Sequence, residues 1–94
     1  MLIERSEILT KEGQEDGFAQ VMEEQGLALL AGVPGVKSLK LGRGVENPAK
    51  FMLLVEWEAM DAHTAFTRSA IYTPFRQLIG PFAKGGSMEH FEMR

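Results

Sequence analysis

The stretch Lys50 to Glu58, KFMLLVEWE, limits what this chain can fold into more than any other. Successive side chains of a strand point to opposite faces, so Phe51, Leu53, Val55 and Trp57 share one face while Met52 and Leu54 put apolar groups on the other. A strand that is apolar on both sides needs cover on both sides, which predicts a place in the interior of a sheet.

The flanking segments supply its neighbours. Val36 to Arg43 alternates, with Leu39 and Leu41 on one side and Ser38 and Lys40 on the other, as a half-buried strand does. Gly42, Gly44, Asn47 and Pro48 then form a turn-rich connection, so this strand and Lys50 to Glu58 are expected to make an antiparallel hairpin. Leu2 to Leu9 reads as a further strand, bounded by Thr10 and Gly13, in which Ile3, Ile8 and Leu9 are apolar. Glu4, Arg5, Ser6 and Glu7 interrupt it and read as solvated edges or contacts with a second subunit, Ser6 alone being a candidate to face a pocket. A fourth strand, Ser87 to Met93, sets Phe91 and Met93 opposite Met88, His90 and Glu92.

Two helical regions separate these strands. From Gln14 to Ala31 the residues Phe18, Val21, Met22, Ala28 and Leu29 fall on one stripe, with Gln25 as its polar member. Glu15 and Asp16 suit the positive end of the helix dipole, and Gly32 with Pro34 supplies the stop. Gly26 inside this helix costs about 1 kcal/mol relative to alanine and predicts a kink or a close contact. After Trp57, Ala62, His63, Phe66 and Ala70 recur at helical spacing, and Tyr72, Pro74, Phe75, Leu78 and Ile79 begin a second piece ended by Gly80 and Pro81.

The order is β-α-β-β-α-β over residues 1–94, a single α+β domain with a four-stranded antiparallel sheet and helices on one face, the ferredoxin-like arrangement. The strands are expected in the order fourth, first, third, second. A domain of this size buries only about 60 to 65% of its unfolded surface, and the second face of the sheet is left bare. Both considerations predict a homodimer closed through the open sheet face.

Composition removes several classes of function. The net charge is −3 with ten dispersed Lys and Arg residues, which offers no surface for nucleic acid. Cysteine is absent, which excludes disulfides, thiolate metal sites and cysteine nucleophiles. The opening MLIERSEIL is too charged for a signal peptide or a spanning helix, so a cytoplasmic protein with no membrane partner is expected.

The runs EGQEDGFAQVMEE, VPGVKSLKLGRGVENPAKFMLLVEWE and DAHTAFTRSAIYTPFRQLIGPF together resemble the antibiotic biosynthesis monooxygenase family of dimeric α+β barrels. The resemblance rests on the order of the charged helix start, the PG before the second strand, the ENP turn, and the strand ending in Trp57 and Glu58 with Asp61 and Ala62 following. It implies the fold and dimer just described, and it implies an oxygenase that uses neither metal nor flavin on phenolic, quinol-like or other small electron-rich aromatic molecules. Members that degrade haem carry an iron-ligating histidine close to where Arg76 stands and a tryptophan where Phe66 stands; a guanidinium cannot ligate iron, so haem is not expected. The polyketide oxygenases imply a tryptophan at Trp57, a tyrosine where His63 stands, an arginine within a residue of Arg76, and an asparagine where this chain has Leu53.

Each candidate residue carries two readings. Trp57 either lines a substrate pocket or is a core side chain at a strand end. His63 either passes a proton to or from a substrate hydroxyl or is a satisfied, partly buried imidazole. Arg76 either stabilises a substrate anion or makes an ion pair, and Tyr72 either lines the pocket with Phe66 or packs on the sheet. His90 and Glu92 share a strand face, but no third metal ligand is placed by the sequence, so no metal is expected. The implied function is a cofactor-independent monooxygenase with His63 and Arg76 as catalytic residues and Trp57, Tyr72 and Phe66 binding the substrate. The alternative is a non-catalytic dimeric module that binds a small apolar molecule or stabilises a partner.

Overall fold

The computed structural model describes residues Met1–Arg94. Its elements in chain order are β1 (Leu2–Thr10), α1 (Glu15–Val21), a π turn (Met22–Gly26), α2 (Leu27–Ala31), β2 (Val36–Arg43), β3 (Lys50–Trp57), α3 (Met60–Thr67), α4 (Tyr72–Ile79) and β4 (Ala83–Glu92). The four strands form one antiparallel sheet in the order β2-β3-β1-β4, the order expected from the sequence. KFMLLVEW is thus an interior strand, paired to β2 on one side and to β1 on the other.

Strand parity divides the sheet into two chemically different faces. Phe51, Leu53, Val55 and Trp57 of β3 are buried beneath the helices, where they meet Phe18, Met22, Leu30, Val33, Phe66 and Phe75 in one core. Burying each of these large side chains stabilises the fold by about 1.5 to 3 kcal/mol. The opposite face presents Met52 and Leu54 beside Ile3, Leu9 and Phe91, interspersed with the ion pairs Arg5–Glu89 and Lys50–Glu7. No helix of this chain covers it. No helix is long and apolar enough to cross a membrane.

The long helix differs from the stripe read in the sequence, and the π turn is the reason. The buried residues along it are Phe18, Met22, Gly26 and Leu30, four apart at every step, whereas Gln25 and Ala28 are exposed. In a regular α-helix such a series drifts by about 40° per step. The wider π turn absorbs that drift and brings Gly26 and Leu30 inward in place of Gln25 and Leu29. The Met22 side chain packs directly on Gly26: a Cβ there would lie 2.5 Å from Met22 Sδ and would require that side chain to shift.

Two local features place α3 and α4. Gly35 has φ +91°, and its backbone passes so close to Ala62 of α3 that a side chain on Gly35 would collide with the Ala62 methyl. The Gly35 carbonyl also accepts the Glu58 N–H at 2.7 Å, which fixes the turn from β3 into α3. Between α3 and α4 the Ser69 hydroxyl donates to the Phe66 carbonyl at 2.8 Å and accepts the Ile71 N–H at 3.3 Å, so the second helical region breaks there. β4 begins at Ala83, four residues before the strand read from its alternation. The run Lys84, Gly85, Gly86 has no apolar period to reveal it, yet it pairs with Ile8 and Leu9.

Candidate functional site

The residues Glu4 to Glu7 are not a solvated edge. β1 lies in the middle of the sheet between β3 and β4, and its even positions Leu2, Glu4, Ser6, Ile8 and Thr10 face the helices. Glu4 is therefore only 5% exposed, and Ser6 is buried beside it. A buried carboxyl needs partners, and the fold supplies them. The Ser6 hydroxyl donates to Glu4 Oε2 at 2.6 Å, and the Trp57 indole N–H donates to Glu4 Oε1 at 2.9 Å from the neighbouring strand.

Two imidazoles close over the same carboxyl. His90 stands directly opposite Glu4 in the β1–β4 register, with its Nε2 3.9 Å from Glu4 Oε1. His63 descends from α3 and brings its Nε2 to 3.6 Å from the same oxygen. The rings of His63 and His90 have centroids 4.3 Å apart. Burial pushes the His63 pKa below the ordinary imidazole value; the Glu4 carboxylate opposes that shift in part, and the neighbouring His90 adds to it. His90 Nε2 is buried with no hydrogen-bond partner.

From this polar floor an aromatic wall extends along α3 and α4. The Trp57 ring meets His63 edge-on at 5.3 Å and lies 5.9 Å from Phe66, which in turn packs edge-on against Tyr72 at 5.3 Å and Phe75 at 6.2 Å. Arg76, one turn beyond Tyr72, donates from Nη1 to the Tyr72 hydroxyl at 2.9 Å, and its exposed guanidinium lies 5.7 Å from that ring. Between helices and sheet is a cavity of about 550 Å³ bordered by Glu4, Ser6, Trp57, His63, Tyr72 and Arg76. That volume falls in the range of small-molecule sites, which are mostly apolar with a few convergent polar groups.

All five residues singled out in the sequence, Trp57, His63, Phe66, Tyr72 and Arg76, border this one cavity. Trp57 is at once a core residue and a wall of the cavity, so its two readings are not exclusive. Ser6, the candidate on β1 to face a pocket, does border the cavity, and His90, considered only as a metal ligand, stands beside it; Glu4, read as a solvated edge or subunit contact, is the polar residue that sequence reasoning did not place in the site. The period of two along β1, with Glu4 and Ser6 in step with Leu2 and Ile8, was the available signal. Glu92, on the same strand face as His90, pairs with the N-terminal ammonium at 3.1 Å in solvent. Leu53, at the position where the resemblance implies an asparagine, is buried in the cavity wall, and the polar groups come from β1 instead.

The sheet order, the one-sided helical layer and the cavity between them define a small ferredoxin-like α+β protein with a ligand-sized site. The antibiotic biosynthesis monooxygenase model matches residues 1–78, and the chain belongs to that family. The matched residues include Glu4, Trp57, His63 and Arg76; His90 falls beyond them. The uncharacterized Bacillus subtilis protein YczJ is 31% identical over 94 residues, 98% of each chain. A candidate antibiotic biosynthesis monooxygenase from Bordetella bronchiseptica superposes with a TM-score of 0.89 at 29% identity, over 99% of this chain and 96% of that one. SnoaB, a cofactor-independent oxygenase from Streptomyces nogalater, superposes with a TM-score of 0.85 at 16% identity, over 99% and 92%, which shows a shared fold.

Proposed function

We propose that this protein is a monooxygenase that takes a small electron-rich aromatic or quinol-like molecule into the 550 Å³ cavity and oxidises it with O₂ without flavin or metal. The observation that carries the reading is the placement of His63. Its imidazole stands at the wall of an aromatic cavity that Arg76 also borders, 3.6 Å from the Glu4 carboxyl, where burial lowers its pKa and so favours the neutral base. The family and the description of SnoaB as cofactor-independent support the type of reaction.

In this reading Trp57, Phe66 and Tyr72 hold the flat substrate, and His63 accepts a proton from its hydroxyl or activated carbon. Arg76 stabilises the resulting anion. The anion passes one electron to O₂, and the radical pair joins to form a C–O bond. Loss of water from the peroxide leaves a ketone or quinone. One oxygen atom enters the product, and the other leaves as water with two hydrogens from the substrate. A second copy of the chain covers the open sheet face, where Met52 and Phe91 are 39% and 43% exposed.

The test is oxygen uptake with a panel of phenols and hydroquinones, without added cofactor. Turnover that falls by about 10² to 10⁴-fold in a folded His63→Ala variant supports the reading. Binding of such molecules with no oxygen uptake would replace it by the non-catalytic binding module, which the apolar Leu53 and the engagement of Arg76 with Tyr72 favour.

A further inference from the structure

We propose that Glu4, His63 and His90 form a binding site for a divalent first-row transition metal ion. This inference goes beyond the monooxygenase reading and does not depend on it.

The three side chains come from β1, α3 and β4, and one ligand atom from each lies within 4.8 Å of the other two. His63 Nε2 and His90 Nε2 are 3.6 and 3.9 Å from Glu4 Oε1. Ligands at about 2.0 to 2.2 Å from a tetrahedral zinc ion stand about 3.4 Å apart. The two imidazoles thus stand about 0.2 and 0.5 Å too far from Glu4 Oε1, and their ligand atoms, within 4.8 Å of each other, close by up to about 1.4 Å to hold an ion.

Three further observations favour an ion over a merely packed cluster. First, His90 Nε2 is buried without a hydrogen-bond partner, so a lone pair or an N–H is left unsatisfied in the protein interior. Second, Glu4 is oriented before any ion arrives: the Ser6 hydroxyl holds Oε2 and the Trp57 N–H holds one side of Oε1. Outer-shell partners of this kind fix ligand geometry in metal sites. A carboxylate oxygen has two lone pairs, so the indole N–H leaves one for the metal. Third, Glu4 and His63 also border the cavity, which gives an ion with three protein ligands a side on which to keep a water or a small anion.

The donor set selects the class of ion. Two imidazole nitrogens and one carboxylate oxygen suit zinc, cobalt, nickel or ferrous iron, whereas magnesium and calcium prefer oxygen alone. Metal and proton compete for the same Nε2 of His63, so an occupied site has no free base there. The ion would act on the proposed oxygenation as an inhibitor.

The experiment is calorimetric titration of the chelator-treated full chain with zinc sulfate, with cobalt absorption spectra as a second readout and magnesium chloride as control. One zinc ion per chain is expected, with magnesium silent. Glu4→Gln, His63→Gln and His90→Gln should each weaken zinc binding by at least about tenfold, the scale on which even outer-shell substitutions act, and each should change the cobalt spectrum. His90→Gln lies on an edge strand and guards against a folding failure in Glu4→Gln, and every variant is checked by circular dichroism and melting. Absence of zinc binding, or equal binding by the native chain and a folded His90→Gln variant, overturns the proposal. Because binding is read directly, neither result depends on whether any substrate is oxidised.

Discussion

Trp57 donates its indole N–H to Glu4 Oε1 at 2.9 Å, joining residues 53 apart in sequence and tying the end of one interior strand to the first half of the other. Both side chains are almost wholly enclosed, so neither group can turn to water if the bond is lost. Trp57→Phe leaves Glu4 with the Ser6 hydroxyl as its one remaining hydrogen bond and is expected to cost about 1 to 3 kcal/mol for that loss, with a further cost for the vacated volume. Urea denaturation measures it, and a change under about 0.5 kcal/mol would show that the bond contributes little.

The depressed pKa of His63 makes stability depend on pH in a definite direction. The folded protein takes up this proton less readily than the unfolded chain. Between the depressed value and the ordinary imidazole value the unfolded chain therefore holds more protons, and stability rises with pH. The contribution is complete above the ordinary value and is lost as pH falls through the depressed one. Glu4 and His90 are the titratable groups facing His63, the first opposing the shift and the second adding to it. Urea midpoints of metal-free protein, taken from neutral pH down to about pH 5, should fall more steeply for the native chain than for His63→Gln. Equal slopes would remove His63 as the source.

The open face of the sheet makes a prediction of its own. Met52 on β3 is 39% exposed amid Leu54, Ile3, Leu9 and Phe91. If a second copy covers this face, Met52→Glu places two carboxylates near a two-fold axis in an apolar contact. The variant should sediment as a monomer where the native chain sediments as a dimer, with its circular dichroism unchanged. A native chain that is monomeric at tens of micromolar would refute the covered face.

The frame of this fold was readable because strand parity and helical spacing report burial directly. Phe51, Leu53, Val55 and Trp57 on one face with Met52 and Leu54 on the other announce an interior strand, and the β-α-β-β-α-β order of elements supplies the strand order observed. The polar half of the site was not readable by the same rule. Glu4 and Ser6 sit at buried positions of β1, where hydrophobic patterning expects apolar residues, and their partners Trp57, His63 and His90 come from three other elements. Likewise Gln25 occupies a helical position that a regular helix would bury, and only the π turn turns it outward. In both places the departure from local pattern coincides with the cavity, which Met22 of the π turn and Glu4 both line.

The last prediction concerns how His63 is held. Gly35 adopts φ +91° and lies against Ala62, the residue before His63, closely enough that a methyl at position 35 would strike the Ala62 methyl. Gly35→Ala therefore carries two costs of the same sign: an unfavourable backbone conformation of about 1 kcal/mol or more, and overpacking of about 1 to 3 kcal/mol against α3. Ala62→Gly in the same chain removes the second cost and leaves the first, so the double variant should be more stable than the sum of the single changes implies. A coupling of about 1 kcal/mol or more in a double-mutant cycle, read by urea denaturation, identifies the contact as the source. Additivity within about 0.5 kcal/mol would mean that α3 yields freely to the added methyl, and that His63 owes its position to Glu4 and Trp57 rather than to the approach of the Gly35 backbone.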